Sequence, residues 1–340
     1  MSNLLKTGVL VTLALALPQA IMAQTTVFSD NFGNGSTFNG VSTPTASSTS
    51  YDFDSTKTGA ESISAGGLTF GLSSATTGGF VEAQAVFTST PVTLATPGDY
   101  IDLTYTFTDT GNLLAGGTST TGSIGSAIMT GLYNSGGVAP IAGTAGVSGN
   151  AVGLTSSTYP TGGSAGWQGY ASRIQQSGGS QEAYTRPQQT AGTTSANQCL
   201  TGWPGLGSGA PANPAGAAVG STLASTVTLT QGNQYTLDYR LTLSSPGVLT
   251  ISDNLYAGVG TGGTDLSSQS SSTSSTLLTS SFDGLAIAIR NNGASLAPTM
   301  DINQITVSEL TAVPEPNTFV LLGGGLVLLQ GAWRRLQKRA

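Results

Sequence analysis

The chain has 340 residues, 48 of them glycine; only 8 % are charged, and the formal net charge is −6. It holds no histidine and a single cysteine, Cys199. These counts exclude Ser-His-Asp and Cys-His nucleophilic machinery, histidine acid–base work, histidine-ligated zinc, thiolate metal cages and any intrachain disulfide. A chain this acidic also has no electrostatic route to a phosphate backbone, so nucleic acid is not an expected partner.

The N-terminus, "MSNLLKTGVLVTLALALPQAIMAQ", places Lys6 before an apolar run from Gly8 to Leu17 that Pro18 ends. The run is too short to span a bilayer comfortably. Small residues follow it, with Ala23 and Ile21 at the minus-one and minus-three positions of a cleavage site. These features predict a signal peptide over residues 1–23, a signal helix that signal peptidase removes before Gln24. Everything beyond it is then exported.

The exported part reads as strands. "YIDLTYTF" sets Ile101, Leu103, Tyr105 and Phe107 against Asp102, Thr104 and Thr106; "YTLDYRLTL" sets Tyr235, Leu237, Tyr239, Leu241 and Leu243 against Asp238 and Arg240. Such period-two alternation predicts a sheet with one buried and one wetter face. Further strands are predicted over 26–32, 68–72, 79–89, 122–133, 167–174, 225–231, 247–258, 282–291 and 300–310. In the last of these Ile302 falls out of phase with Ile305 and Val307, which predicts a bulge. Short strands punctuated by Gly, Pro and Asn predict an all-β, antiparallel β-sandwich over residues 24–312. The Gly/Ala/Pro/Ser-rich stretches 134–166 and 187–222 are expected as long loops, and the Ser/Thr-rich stretch 264–278 as another.

Candidate site residues are few. Trp167, Tyr170 and Trp203 could stack on sugar rings, with Arg186 beside them; Trp167 and Tyr170 lie three apart and so face opposite sides of a strand. Arg173, Arg240 and Arg290 complete the conspicuous cations, a set that an anionic glycan would suit. Asp30 and Asp301 are candidate oxygen ligands for a structural Ca²⁺, and no other cofactor is expected. Glycoside hydrolysis needs two facing carboxyls, yet Glu82 has no acidic partner two or four residues on. Lyase chemistry would fall to Tyr170, Tyr184 and Arg186. The expectation is a non-enzymatic protein.

The chain ends in "VPEPNTFVLLGGGLVLLQGAWRRLQKRA". Thr318 to Trp333 is 16 residues, roughly 24 Å as a helix against a hydrocarbon core of roughly 30 Å. Arg334, Arg335, Lys338 and Arg339 follow directly as a stop-transfer cluster, which holds this end in the cytoplasm and the body outside. A short transmembrane helix of this kind suits a temporary membrane anchor.

The order of Pro314-Glu315-Pro316, apolar segment and basic end over 313–339 resembles the PEP-CTERM sorting signals of exported bacterial proteins. The resemblance implies recognition of Pro314, Glu315 and Pro316 by an exosortase, a place at the cell surface or in the extracellular matrix, and an association with exopolysaccharide and biofilm. The body, through "VFSDNFGNGSTF" and "FDGLAIAIRNNGASLAPTMDINQITVSEL", resembles concanavalin-like jelly rolls in its first and last strands. That fold hosts lectins, glycosidases, lyases and adhesion modules, so it does not select a function. The expectation is thus a sorted, non-catalytic surface protein; a lectin-like carbohydrate-binding module and a carboxylate glycoside hydrolase or polysaccharide lyase are the alternatives.

Overall fold

Ile101, Leu103, Tyr105 and Phe107 are all buried, whereas Thr104 and Thr106 between them are partly exposed. That alternation, repeated from strand to strand, builds the body. A computed structural model describes residues 24–33, 51–55, 59–64, 66–72, 79–114, 126–140, 163–188, 200–201, 218–273, 276–291 and 297–311. The expected signal helix, Trp203, Pro314, Glu315, Pro316, the expected membrane helix and the basic residues Arg334, Arg335, Lys338 and Arg339 lie outside the described residues.

In chain order the strands are β1 (Gln24–Asp30), β2 (Asp52–Ser55), β3 (Gly59–Ser64), β4 (Gly67–Leu72), β5 (Gly79–Val86) and β6 (Val92–Thr93). There follow β7 (Tyr100–Asp109), β8 (Ala127–Asn134), β9 (Gln168–Gln175), β10 (Ser180–Arg186), β11 (Ala218–Ala224) and β12 (Gln234–Ser245). The last five are β13 (Val248–Ala257), β14 (Asp265–Ser272), β15 (Ser281–Phe282), β16 (Gly284–Asn291) and β17 (Thr299–Leu310).

An eight-stranded sheet runs β14-β13-β12-β7-β17-β4-β3, with β1 also on β17, and a seven-stranded sheet runs β11-β10-β9-β8-β16-β5-β2. Every strand pair is antiparallel. The inward rows of both sheets, among them Leu103, Phe107, Leu241 and Ile305 from one and Ile128, Leu132, Ile174 and Ile287 from the other, make one hydrophobic core. The body is therefore an antiparallel β-sandwich of jelly-roll type.

The phase slip at Ile302 is a real bulge: the β17–β7 register shifts between Ile302 and Gln304. It falls where the other edge of β17 changes partner. Thr299–Ile302 pair with β4, and from Ile305 onward the strand pairs with β1. The extra residue restores Ile305 and Val307 to the core side after Ile302.

Three expectations are corrected, the first being that residues 218–222, read as the end of a long loop, belong to strand β11 beside β10. Residues 265–272 form an edge strand, β14, rather than a loop; Ser267, Gln269 and Ser271 are its buried row. A polar edge strand is one way in which a sheet discourages further pairing, and it carries no hydrophobic alternation to read. Residues 225–231 are not a strand. β11 precedes them, and Ser225 and Val227 instead accept hydrogen bonds from Gly178 and Ser177 in the β9–β10 turn.

Candidate functional site

Two of the expected sugar-stacking residues, Trp167 and Tyr170, are packing residues, and so is the arginine beside them. Trp167, Tyr170 and Arg186 are each 0 % exposed. Tyr170 points into the sandwich, where its hydroxyl donates to the Thr279 carbonyl at 3.2 Å and accepts from the Leu278 N–H at 2.8 Å. Trp167 lies one residue before β9 and covers the opposite face of the seven-stranded sheet. Its ring rests on Gly284, where an added Cβ would sit 2.5 Å from the ring, and its Nε1–H donates to the Val138 carbonyl at 2.8 Å. Arg186 donates to the Trp167 carbonyl. Part of the outer face of this sheet is thus covered as well: Val86, Tyr133, Trp167, Tyr184 and Leu200 form a second small core there. Tyr170 is on the other side of the sheet from Tyr184 and Arg186, so the three do not converge as a lyase would need.

The expected Ca²⁺ pair also separates. Asp30 shares the core-facing side of β1 with Phe28 and accepts from the Phe32 N–H at 2.8 Å and the Tyr51 hydroxyl at 3.3 Å. Asp301 lies between buried Met300 and Ile302, so it faces outward, accepting from the Thr69 hydroxyl at 2.9 Å. Strand alternation puts the two carboxylates on opposite faces of one sheet. Among the described residues no three acidic or cysteine side chains gather into a metal-sized group.

What the fold does assemble is a polar groove of about 570 Å³ across the outer face of the eight-stranded sheet. Its floor is the outward set of β7, β12 and β17: Asp102, Thr104 and Thr106; Asp238 and Arg240; Gln304, Thr306 and Ser308. Val259, Gly260 and Thr261, from the turn between β13 and β14, form a rim. Register places Arg240 opposite Asp102 and Asp238 opposite Thr104. Arg240 donates to Asp102 at 2.7 Å, and its guanidinium lies 4.4 Å from the centre of the Tyr100 ring.

Asp238 is pushed up to about 8, first by burial and then by its hydrogen bond to Asp102 and that neighbour's charge, with Arg240 opposing. Asp238 therefore keeps its proton at neutral pH, because a negative charge there would be buried beside the Asp102 carboxyl. One oxygen of each, Oδ1, has no hydrogen-bond partner. The outward alternation of Asp102 and Asp238 is legible in the sequence, but their meeting depends on the β7–β12 register.

Glu82 and Glu182 do not form a hydrolytic pair with each other. Glu82 and Glu182 face outward on the seven-stranded sheet, but β5 and β10 are four strand spacings apart, roughly 19 Å. Each is in use. Glu182 pairs with Arg173 at 2.9 Å. Glu82 accepts from the backbone N–H groups of Leu200 and Thr201, both at 2.8 Å, from the Thr201 hydroxyl, and from Gln84 at 2.6 Å. This clamp holds Leu200 on the outer face of the sheet.

Residues 312–336 match the PEP-CTERM protein-sorting motif. The chain therefore carries that signal at its C-terminus and is an exported protein sorted by an exosortase-type system. Solved structures with a similar strand arrangement include peanut lectin with a 9-mer peptide, at 8 % identity and a TM-score of 0.37, over 86 % of this chain and 99 % of that one. Arcelin-5, a lectin-like defence protein from Phaseolus vulgaris, aligns at 10 % identity and a TM-score of 0.36, over 84 % and 98 %. An endo-β-1,4-glucuronan lyase from Trichoderma reesei aligns at 8 % and 0.34, over 76 % and 82 %. Identities this low transfer neither ligand nor activity. No curated protein sequence matches the chain significantly.

Proposed function

We propose that this exported, exosortase-sorted β-sandwich is a non-catalytic glycan-binding protein of the cell surface or its extracellular polysaccharide, and that the groove over β7, β12 and β17 takes a neutral sugar chain. The supporting observation is the Asp102–Asp238–Arg240 cluster on a floor of threonine and serine hydroxyls. A salt-bridged carboxylate, a protonated carboxyl and a guanidinium side by side offer both acceptors and donors, the set that adjacent sugar hydroxyls require. The same geometry argues against hydrolysis. Glycosidases hold their carboxyls about 5–5.5 Å or 6.5–9.5 Å apart, and two carboxyls hydrogen-bonded to each other leave no room for an anomeric carbon or a water.

The test is a glycan array probed with wild-type protein and with Arg240→Ala, with released sugars assayed in parallel. Binding that Arg240→Ala weakens at least tenfold, with no released product, supports the reading. Product release defeats the non-catalytic part, and silence across neutral glycans defeats the glycan part.

A further inference from the structure

Three of the four arginines of the folded body meet a partner that explains them: Arg240 meets Asp102, Arg173 meets Glu182, and Arg186 meets the Trp167 carbonyl. Arg290 is different. It is 5 % exposed, it is in neither of the two ion pairs among the described residues, and its Nε and Nη1 have no hydrogen-bond partner. Burial, with the Arg173 charge nearby, brings it down to about 10. A buried charge without compensation is strongly destabilising, so the position calls for an anion.

The sheet supplies the rest of a receptor. Arg290 of β16 lies opposite Ala127 of β8, and Ala127 lies opposite Gln175 of β9. Arg290 and Gln175 therefore flank one alanine in a single row on the outer face. Direct cross-strand neighbours stand about 5 Å apart, so the two Cβ atoms are roughly 10 Å apart, a span that both long side chains can enter. Gln175 is 3 % exposed, and its Oε1 accepts from the Ser180 N–H at 2.6 Å and the Ser180 hydroxyl at 3.1 Å. That fixes the orientation of the amide and leaves its Nε2 as an unpartnered donor. The floor between them is small and apolar, made of Ala127, Met129 and Ala288.

The unpartnered atoms of this row are all donors. A guanidinium fork and an amide N–H₂ fit the oxygens of a carboxylate or sulfate, and would repel a cation. We propose that Arg290 and Gln175 bind a single oxyanion, the carboxylate of an acidic sugar or a sulfate group, on the outer face of the seven-stranded sheet over Ala127. One anionic group fits better than a polyanion, because the chain as a whole is negative. This site is on the opposite sheet from the neutral-glycan groove and does not depend on it.

The experiment follows thermal unfolding of the full exported chain against sodium glucuronate and sodium sulfate at constant ionic strength, with glucose as the neutral control. A saturable rise in Tm with glucuronate assigns the sugar-acid source, and one confined to sulfate assigns the sulfate class. Arg290→Met should lose the response at least tenfold in midpoint, yet be no less stable without ligand. Gln175→Glu places a carboxylate beside Arg290; it should unfold at a higher temperature and no longer respond to either anion, and it carries the test if Arg290→Met does not fold. Arg240→Ala should respond as wild type does, which separates this site from the groove. The proposal is overturned if neither anion gives a saturable shift, or if the shift survives both Arg290→Met and Gln175→Glu.

Discussion

Arg240 reaches across the β7–β12 ladder to Asp102 at 2.7 Å, while Asp102 is also hydrogen-bonded diagonally to Asp238. One cation thus serves two acids. The arginine side chain is 38 % exposed and that of Asp102 only 6 %, so solvent screens much of the attraction. Arg240→Ala should therefore destabilise the protein by only about 1 kcal/mol, summing a partly exposed ion pair and a cation–π contact. The expected drop in Tm is roughly 2 °C. A much larger drop would show that the groove is a structural element first.

The absence of histidine makes pH a clean probe. Asp253 is fully buried between the sheets, where burial pushes it up to about 7 although the Ser172 hydroxyl donates to it at 2.6 Å. Asp238 is raised to about 8. Burial also raises Glu82, Asp109, Glu182, Asp283 and Glu309. A carboxyl with a raised pKa holds its proton more tightly when folded, so the folded state binds more protons than the unfolded chain through this range. Stability is then greatest near pH 4 and falls as pH rises to about 8. Urea unfolding at pH 4.5, 6 and 8 checks the sign. Asp253→Asn should remove the part of the slope below about pH 7, on the order of 4 kcal/mol. A protein more stable at pH 8 than at pH 5 would contradict the buried placement of these acids.

Trp167 separates packing from recognition. Its ring fills the space over Gly284 in the second small core. Trp167→Ala should cost about 3–5 kcal/mol, as large-to-small changes at buried aromatics do. Glycan binding measured well below the new Tm should be unchanged. A selective loss of binding without destabilisation would return this residue to the surface.

The Glu82 clamp predicts a local effect. Glu82→Ala leaves the Leu200 and Thr201 N–H groups unpaired in a buried place, at about 1–3 kcal/mol. Limited proteolysis should then cut near residue 200 while the β-sandwich stays intact. Unchanged protection would show that Leu200 alone holds this segment down.

The sorting signal predicts a phenotype in cells. Replacing Pro314, Glu315 and Pro316 with alanine should leave the exported chain uncleaved at its C-terminus and in the membrane fraction, which an immunoblot reads as a longer, membrane-bound species. Normal processing of this variant would show that the triplet is not the element recognised.

The address and much of the fold were legible locally. A sorting tail is read by its receptor as linear order, so the sequence determined it without any tertiary contact. Alternation likewise settled the inward rows of β7 and β12, and one out-of-phase isoleucine located the bulge in β17, because strand periodicity is a property of consecutive residues. β14 escaped notice because its buried row is serine and glutamine. The sites escaped for another reason. Asp102 meets Arg240 across 138 residues of sequence, and Arg290 faces Gln175 only because β8 lies between β16 and β9. Trp167 and Arg186 were removed from the surface by a second small core on the outer face of a sheet. Pairing register and loop packing are long-range choices made by the whole core, and no local pattern records them.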